Sequence, residues 1–202
     1  MGISDRQQRE KEHRIRTILE AAKYLFARKG YQETSLNDIA DQAELGKATI
    51  YYYFKCKDDI YKEIYLSYAR SYYQALTDQV LQAESLEALV SALVVGHVQL
   101  GLQDRDFFNL LFPLGKNAPV EILRNPEVVQ ETESYRLPIQ SRIQQLFRQV
   151  HTTVDPEVFQ QMVWSYLTGL AVKIIRGADW AQLEPEIHLF QTSLLDTLTK
   201  EI

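Results

Sequence analysis

The sequence predicts an all-α protein of about nine helices, a three-helix N-terminal unit followed by a larger helical body. Apolar residues recur at three- and four-residue spacing through most of the chain instead of alternating. Six prolines and eight glycines in 202 residues leave room for long helices nearly everywhere. Between residues 35 and 57, two short helical patterns are separated by a turn of only three residues.

Residues 1–14 are polar and mixed in charge, and read as a frayed, solvated helical start. Ile15, Ile18, Leu19, Ala22, Leu25 and Phe26 then form one helical stripe. Lys29-Gly30 closes it, with Gly30 suited to a left-handed cap and Tyr31 to the apolar contact that accompanies one.

Ser35 followed by Asp38 is a capping box, so the next helix starts there. Leu36, Ile39, Ala40 and Ala43 share its buried face. Glu44-Leu45-Gly46 breaks the pattern, Gly46 tolerating a turn conformation and Leu45 able to plug the angle between helices. From about Lys47 to Phe54 a second helix buries Ile50 and Phe54. Its other faces carry Lys47, Ala48, Thr49, Tyr51, Tyr52 and Tyr53. A helix this short is marginal in water and must be held by its neighbours. Three adjacent tyrosines span about 200° of a helix, so they cannot all face inward. Such a helix suits insertion into a duplex groove; the alternative is a hairpin whose tyrosines complete a core.

The string from Arg14 to Tyr61 resembles the DNA-binding domain of the TetR family of repressors. The matching elements are A-x-x-L-F-x-x-K-G-Y at Ala22–Tyr31, T-S-x-x-x-I-A at Thr34–Ala40 and K-A-T-I-Y-Y-Y-F-K-x-K at Lys47–Lys57. They cover about a quarter of the chain, and the remainder matches only in length and helical character. Glu44 stands where the family's turn commonly has Gly, and Gly46 where Ser often caps the recognition helix. Gly still serves as a cap.

The resemblance implies a helix-turn-helix DNA-binding domain at 1–57 and an effector-binding and dimerisation domain at 58–202. It implies a homodimer, paired through the two C-terminal helices, that binds a palindromic double-stranded operator and is released by a small apolar effector. Thr49, Tyr53 and Lys57 would hold phosphates. Asn37, Lys47, Ala48, Tyr51 and Tyr52 would meet base edges or their surroundings. Residues 1–14 then have an alternative role, as an arm reaching a neighbouring groove or phosphate. The protein would be a cytoplasmic repressor of bacterial type; an activator, or a DNA-bound protein without effector, is the alternative.

Cys56-Lys57-Asp58-Asp59 opens the next helix, with acidic residues complementing its dipole. Lys57 comes too early to share that benefit, and a DNA phosphate explains the cation better. Cys56 between two lysines at a helix start suggests a more acidic thiol and a redox switch, against a family capping position that happens to hold Cys. A long helix from Ile60 to about Leu81 aligns Tyr61, Tyr65, Tyr68 and Tyr72. Ser85–Leu102 is an apolar helix whose lone His97 reads as a core histidine. Residues 104–116 form a short helix stopped near Pro113. An aromatic stripe at this spacing is more often core, but the resemblance makes Tyr68, Tyr72, Phe107, Phe108, Phe112 and Trp164 the candidate effector residues.

Asn125-Pro126 turns into a helix running to about Val150, with Pro138 expected to kink it. Asp155-Pro156 starts another helix. From Met162 to Ile175 its only charged residue is Lys173, so a second subunit is expected on one side. After the break at Gly177-Ala178-Asp179, Ile187, Phe190, Leu194 and Leu198 mark the closing helix from Glu186 to Ile202.

Residues 1–57 hold 11 Lys and Arg against 8 Asp and Glu, whereas 58–202 hold 11 against 19. A small DNA-facing module on an acidic body has this distribution, although the whole chain carries −5. No run approaches ~18 uninterrupted apolar residues, so no membrane span is expected. The charged N-terminus argues against a secretory signal, and the Met1-Gly2 start lacks the context for myristoylation. One cysteine permits no internal disulfide. With no His/Asp/Ser or His/Cys cluster, phosphate loop or metal-ligand spacing, neither enzyme, cofactor nor metal is expected.

Overall fold

The computed structural model describes residues 3–113 and 119–199. Among them are ten α-helices and no strand. They are α1 (Ile3–Lys29), α2 (Leu36–Gln42), α3 (Lys47–Tyr53), α4 (Lys57–Val80), α5 (Leu86–Gln103), α6 (Arg105–Leu111), α7 (Val120–Leu123), α8 (Pro126–Phe147), α9 (Pro156–Ile175) and α10 (Trp180–Thr199). The helix beyond the nine expected is α7, a single turn too short to show periodicity. Residues 1–2, 114–116 and 200–202 of the predicted segments lie outside the described residues.

The described residues form two compact units, one of 3–67 with 113 and 119–129, the other of 68–112 with 130–199. Of the three boundaries, 67/68 and 129/130 fall inside α4 and α8, and 112/113 follows the end of α6.

In the first unit the core is Ile18, Ala22 and Phe26 of α1, Ile39 and Ala40 of α2, Ile50 of α3, and Ile60, Tyr61 and Ile64 of α4. The polar start of α1 is helical, carrying exposed i,i+4 pairs such as Arg14–Glu10. Gly30 takes the left-handed conformation expected of it, at φ 82°.

In the second unit α5 packs on α6, α9 and α10. By length and composition α5 is apolar enough to cross a membrane, which a search for uninterrupted apolar runs overlooks. Its Leu89, Val90, Leu93, Val94, His97 and Val98 are buried inside the unit, as in a core helix. Asp155 caps α9 through the Glu157 and Val158 amides, with Pro156 in the first turn. α8 continues as helix through Pro138.

The closing helix begins at Trp180, six residues before the expected Glu186. Pro185 hides that start from a pattern reading. The missed signal is a reciprocal cap, in which Asp179 Oδ1 accepts from the Gln182 amide and Gln182 Oε1 from the Asp179 amide, both at 3.0 Å.

Candidate nucleic-acid interface

The predicted capping box of α2 is formed. Ser35 Oγ accepts from the Asp38 amide at 3.1 Å, and Asp38 Oδ2 accepts from the Ser35 amide at 2.7 Å. Lys29 Nζ lies 3.0 Å from the same carboxylate. The hydrogen bonds from Ser35 foremost, then Lys29, hold the Asp38 carboxyl down to about 2.

α2 ends in a Schellman turn: the Leu45 amide donates to the Ala40 carbonyl at 3.0 Å and the Glu44 amide to the Asp41 carbonyl at 3.2 Å. Such a turn requires one left-handed residue, and that residue is Glu44, at φ 54°. Gly46 serves as the cap expected of it, and the left-handed residue of the turn is not the glycine. Gly46 has an ordinary φ of −63° and sits at the N-cap of α3 without a side chain to close it.

α3 is pinned from behind by Ile50, fully buried, and Phe54. Its opposite face is open. Tyr51 is 56% exposed and Tyr52 80%. Lys47 and Ala48, one turn earlier, are exposed beside them, as is Asn37 on α2. Thr49 and Tyr53 are half-buried on the flank, Tyr53 packed edge-on against Tyr52 at 4.9 Å. Seven of the eight predicted contact residues thus lie on α2 and α3.

The eighth, Lys57, is held within the unit. Its ammonium donates to the carbonyls of Tyr31 at 2.7 Å and Gln32 at 3.3 Å, and lies 4.2 Å from the centre of the Tyr31 ring. Burial lowers its pKa. The Tyr31 hydroxyl donates to Asp58, and its ring packs on Phe26 and Tyr61 at 5.5 and 5.2 Å. Lys57 therefore has an intramolecular reason to be a cation that no local pattern announces. Asp59 accepts from the amides of Lys55 and Cys56, leaving Cys56 exposed at the start of α4.

Residues 18–64, which contain this whole arrangement, match the family model of bacterial regulatory proteins of the tetR family. Over that segment the chain is similar to the DNA-binding part of TetR-family regulators. Two curated relatives match over the same kind of segment. An uncharacterized HTH-type transcriptional regulator, YhgD of Bacillus subtilis, is 42% identical over 52 residues, 26% of this chain and 27% of its own. The biofilm operon negative regulator IcaR of Staphylococcus aureus is 44% identical over 46 residues, 23% and 25% respectively. The chain thus spans about a quarter of the length of the curated relatives it matches. The fold extends further. The fatty acid degradation regulator FadR from Bacillus halodurans superposes with a TM-score of 0.74 over 93% of this chain and 97% of its own, at 17% identity. The family and these relatives are transcriptional regulators rather than enzymes.

In the second unit the six candidate effector residues belong to one aromatic cluster. Tyr68 packs on Phe107 at 4.6 Å, Tyr72 on Phe108 and Phe112 at 6.0 and 5.6 Å, and Trp164 joins through Tyr73 at 5.8 Å. Tyr72 and Phe108 are buried; the other four are half-buried.

Sequence reasoning missed a polar pair at the centre. The Tyr72 hydroxyl meets His97 Nδ1 at 2.6 Å, and both side chains are buried. Burial raises the tyrosine's pKa, so the hydroxyl keeps its proton, and the tautomer of His97 sets which partner donates. Burial drives the His97 pKa down to about 3. The nearby Leu167 carbonyl opposes that shift, yet Nε2 has no well-formed hydrogen bond. The periodicity of α5 marked His97 as core, but nothing in it named its partner.

Proposed function

We propose that this protein is a ligand-responsive, DNA-binding transcriptional repressor acting as a homodimer on a palindromic operator in the cytoplasm. The reading rests on α3, whose Tyr51 and Tyr52 stand in solvent while Ile50 anchors the helix from behind. A short helix so supported, with Lys47 and Ala48 on the open face, has the form of a recognition helix entering a major groove. Lys47 offers two-point donation to guanine, and Ala48 a methyl contact to thymine. Asn37, Tyr51 and Tyr52 complete the base-facing set, and Thr49, Tyr53 and Lys57 serve the phosphates, Lys57 by exchanging carbonyls for phosphate. Functionally the DNA-binding domain is 1–57 and the effector and dimerisation domain 58–202.

Dimerisation through α9 and α10 is supported by what those helices leave open. Met162 is 48% and Leu189 67% exposed, and nothing approaches Gly169. Beside them Tyr166 stacks on Phe190 at 3.7 Å, and the buried Tyr166 hydroxyl has no hydrogen-bond partner. A second copy covers such a face most simply. Two recognition helices would then address grooves about 34–36 Å apart or somewhat wider.

The effector we infer is small and mostly apolar, received by the cluster of Tyr68, Tyr72, Phe107, Phe108, Phe112 and Trp164. It releases DNA only to the extent that it prefers the low-affinity state. An activator using the same surfaces is the second reading, since the operator's position decides the sign. The test is selection of bound fragments from the source genome, followed by a ligand screen for their release. Recovery of one palindrome, released by an apolar compound, is expected; a single-chain species that retains no fragment at low ionic strength overturns the proposal.

A further inference from the structure

α1 continues well beyond the core of its unit. It is one unbroken helix from Ile3 to Lys29, yet from residue 5 onward its first buried side chain is Ile18. Residues 5–13 are all exposed. At 1.5 Å per residue they carry the helix roughly 14 Å past the packed part, with polar side chains all round. Such a stretch gains nothing from burial and is marginal in water by itself.

Charge on this extension is sorted by face. Arg6, Arg9, His13 and Arg16 are spaced three, four and three apart, which gathers them within about 80° of the helix circumference. All four are exposed. The carboxylates Asp5, Glu10 and Glu12 fall to either side of this stripe; Glu10 pairs with Arg14 at 3.0 Å, and Glu12 accepts from Gln8 at 2.8 Å. The next acidic residue along the stripe is Glu20, which pairs with Lys23. Arg6 also stands in the first turn, where the helix dipole favours an anion, so the helix itself gives no reason for that cation.

The extension begins near the base-facing end of α3. Only six residues, 30–35, join α1 to α2, and Lys29 Nζ meets Asp38 in the first turn of α2 at 3.0 Å. So short a link turns α2 back along α1, on which it packs. The seven residues of α2 cover about 10 Å, which brings the following turn and Lys47 alongside the middle of α1.

We propose that the stripe of Arg6, Arg9, His13 and Arg16 is a second DNA-contacting surface, which holds the phosphate backbone beyond the groove that α3 enters. It rests on the DNA-binding reading above. Arg6 to Arg16 spans about 15 Å of helix, a length over which a duplex presents several phosphates. A guanidinium fork suits phosphate oxygens, and the stripe faces outward, where an external partner can meet it. Contacts of this kind read no bases, so they add affinity to every sequence alike and are weakened by salt.

The affinity of the full chain for a labelled duplex of arbitrary sequence, measured from about 50 to 200 mM potassium chloride, tests this. Each phosphate contacted contributes about 0.9 to the slope of log K against log salt. Arg6→Gln, Arg9→Gln and Arg16→Gln combined should reduce that slope by about 2–3 for each chain bound. Lys11→Gln with Arg14→Gln, on other faces of the same helix, should reduce it by less than about 1. The three stripe positions are exposed, so the thermal melt should not move with the slope. An unchanged slope in the triple variant overturns the proposal. So does an equal fall per charge in both variants, which a diffuse field would give. If the unaltered chain binds no duplex at low ionic strength, the DNA-binding reading falls and this one with it; a bound duplex with an unchanged slope fells this one alone.

Discussion

The ammonium of Lys57 donates to the main-chain carbonyl of Tyr31 at 2.7 Å, across 26 residues of sequence. It ties the start of α4 to the loop after α1, beneath the ring it also covers. Losing it should cost stability as well as DNA. Lys57→Ala is expected to destabilise the protein by about 1 kcal/mol, read by urea denaturation, because one charged donor and its ring contact are removed.

The same variant separates base from phosphate recognition. Lys57→Ala should weaken binding to every sequence alike, whereas Lys47→Ala should change which sequences are preferred. Binding-site selection with both variants checks this. A uniform loss in both would refute the division of roles.

Glu44 carries the turn's left-handed backbone at φ 54°. Glu44→Gly should therefore raise stability by about 0.5–1 kcal/mol, relief of backbone strain outweighing the greater freedom of the unfolded chain. At Gly46 a new Cβ would meet only Thr49 Oγ1, at 3.9 Å. Gly46→Ser should add a few tenths of a kcal/mol by capping α3. Thermal melts of both variants are the measurement.

Gly101 leaves the space that the Phe108 ring fills; a Cβ there would lie 2.5 Å from a ring carbon. Gly101→Ala should cost about 1–3 kcal/mol by displacing that ring from the cluster. Near-ultraviolet circular dichroism, which reads aromatic packing, should change with it.

His97 makes the body sensitive to acid. Its folded pKa of about 3 lies below the ordinary 6.5, so between these values the unfolded chain binds the extra proton. Stability is therefore complete above pH 6.5 and declines as the pH falls toward 3, by at most about 1.4 kcal/mol per pH unit. Denaturation midpoints measured from pH 7 to 4 should fall less steeply in His97→Gln. An equal slope in both proteins would show that another group is responsible.

What could be read in the sequence was what is local or periodic. The Ser35–Asp38 box, the Gly30 cap, the Asp155-Pro156 start and the buried stripe of α1 each need only neighbours within a turn or two, so spacing alone specifies them. The outward tyrosines of α3 follow from angular spacing, and the 18–64 match from residue order. Where a weak local signal competed with a stronger one the reading slipped, as at Pro185, which masked the start of α10. Only the tertiary structure decided which atoms meet across long separations. It joined Lys57 to Tyr31 and paired the Tyr72 hydroxyl with His97. Those pairings depend on how helices lie against each other, and the side chains at a helix crossing leave no period in the chain by which to find them.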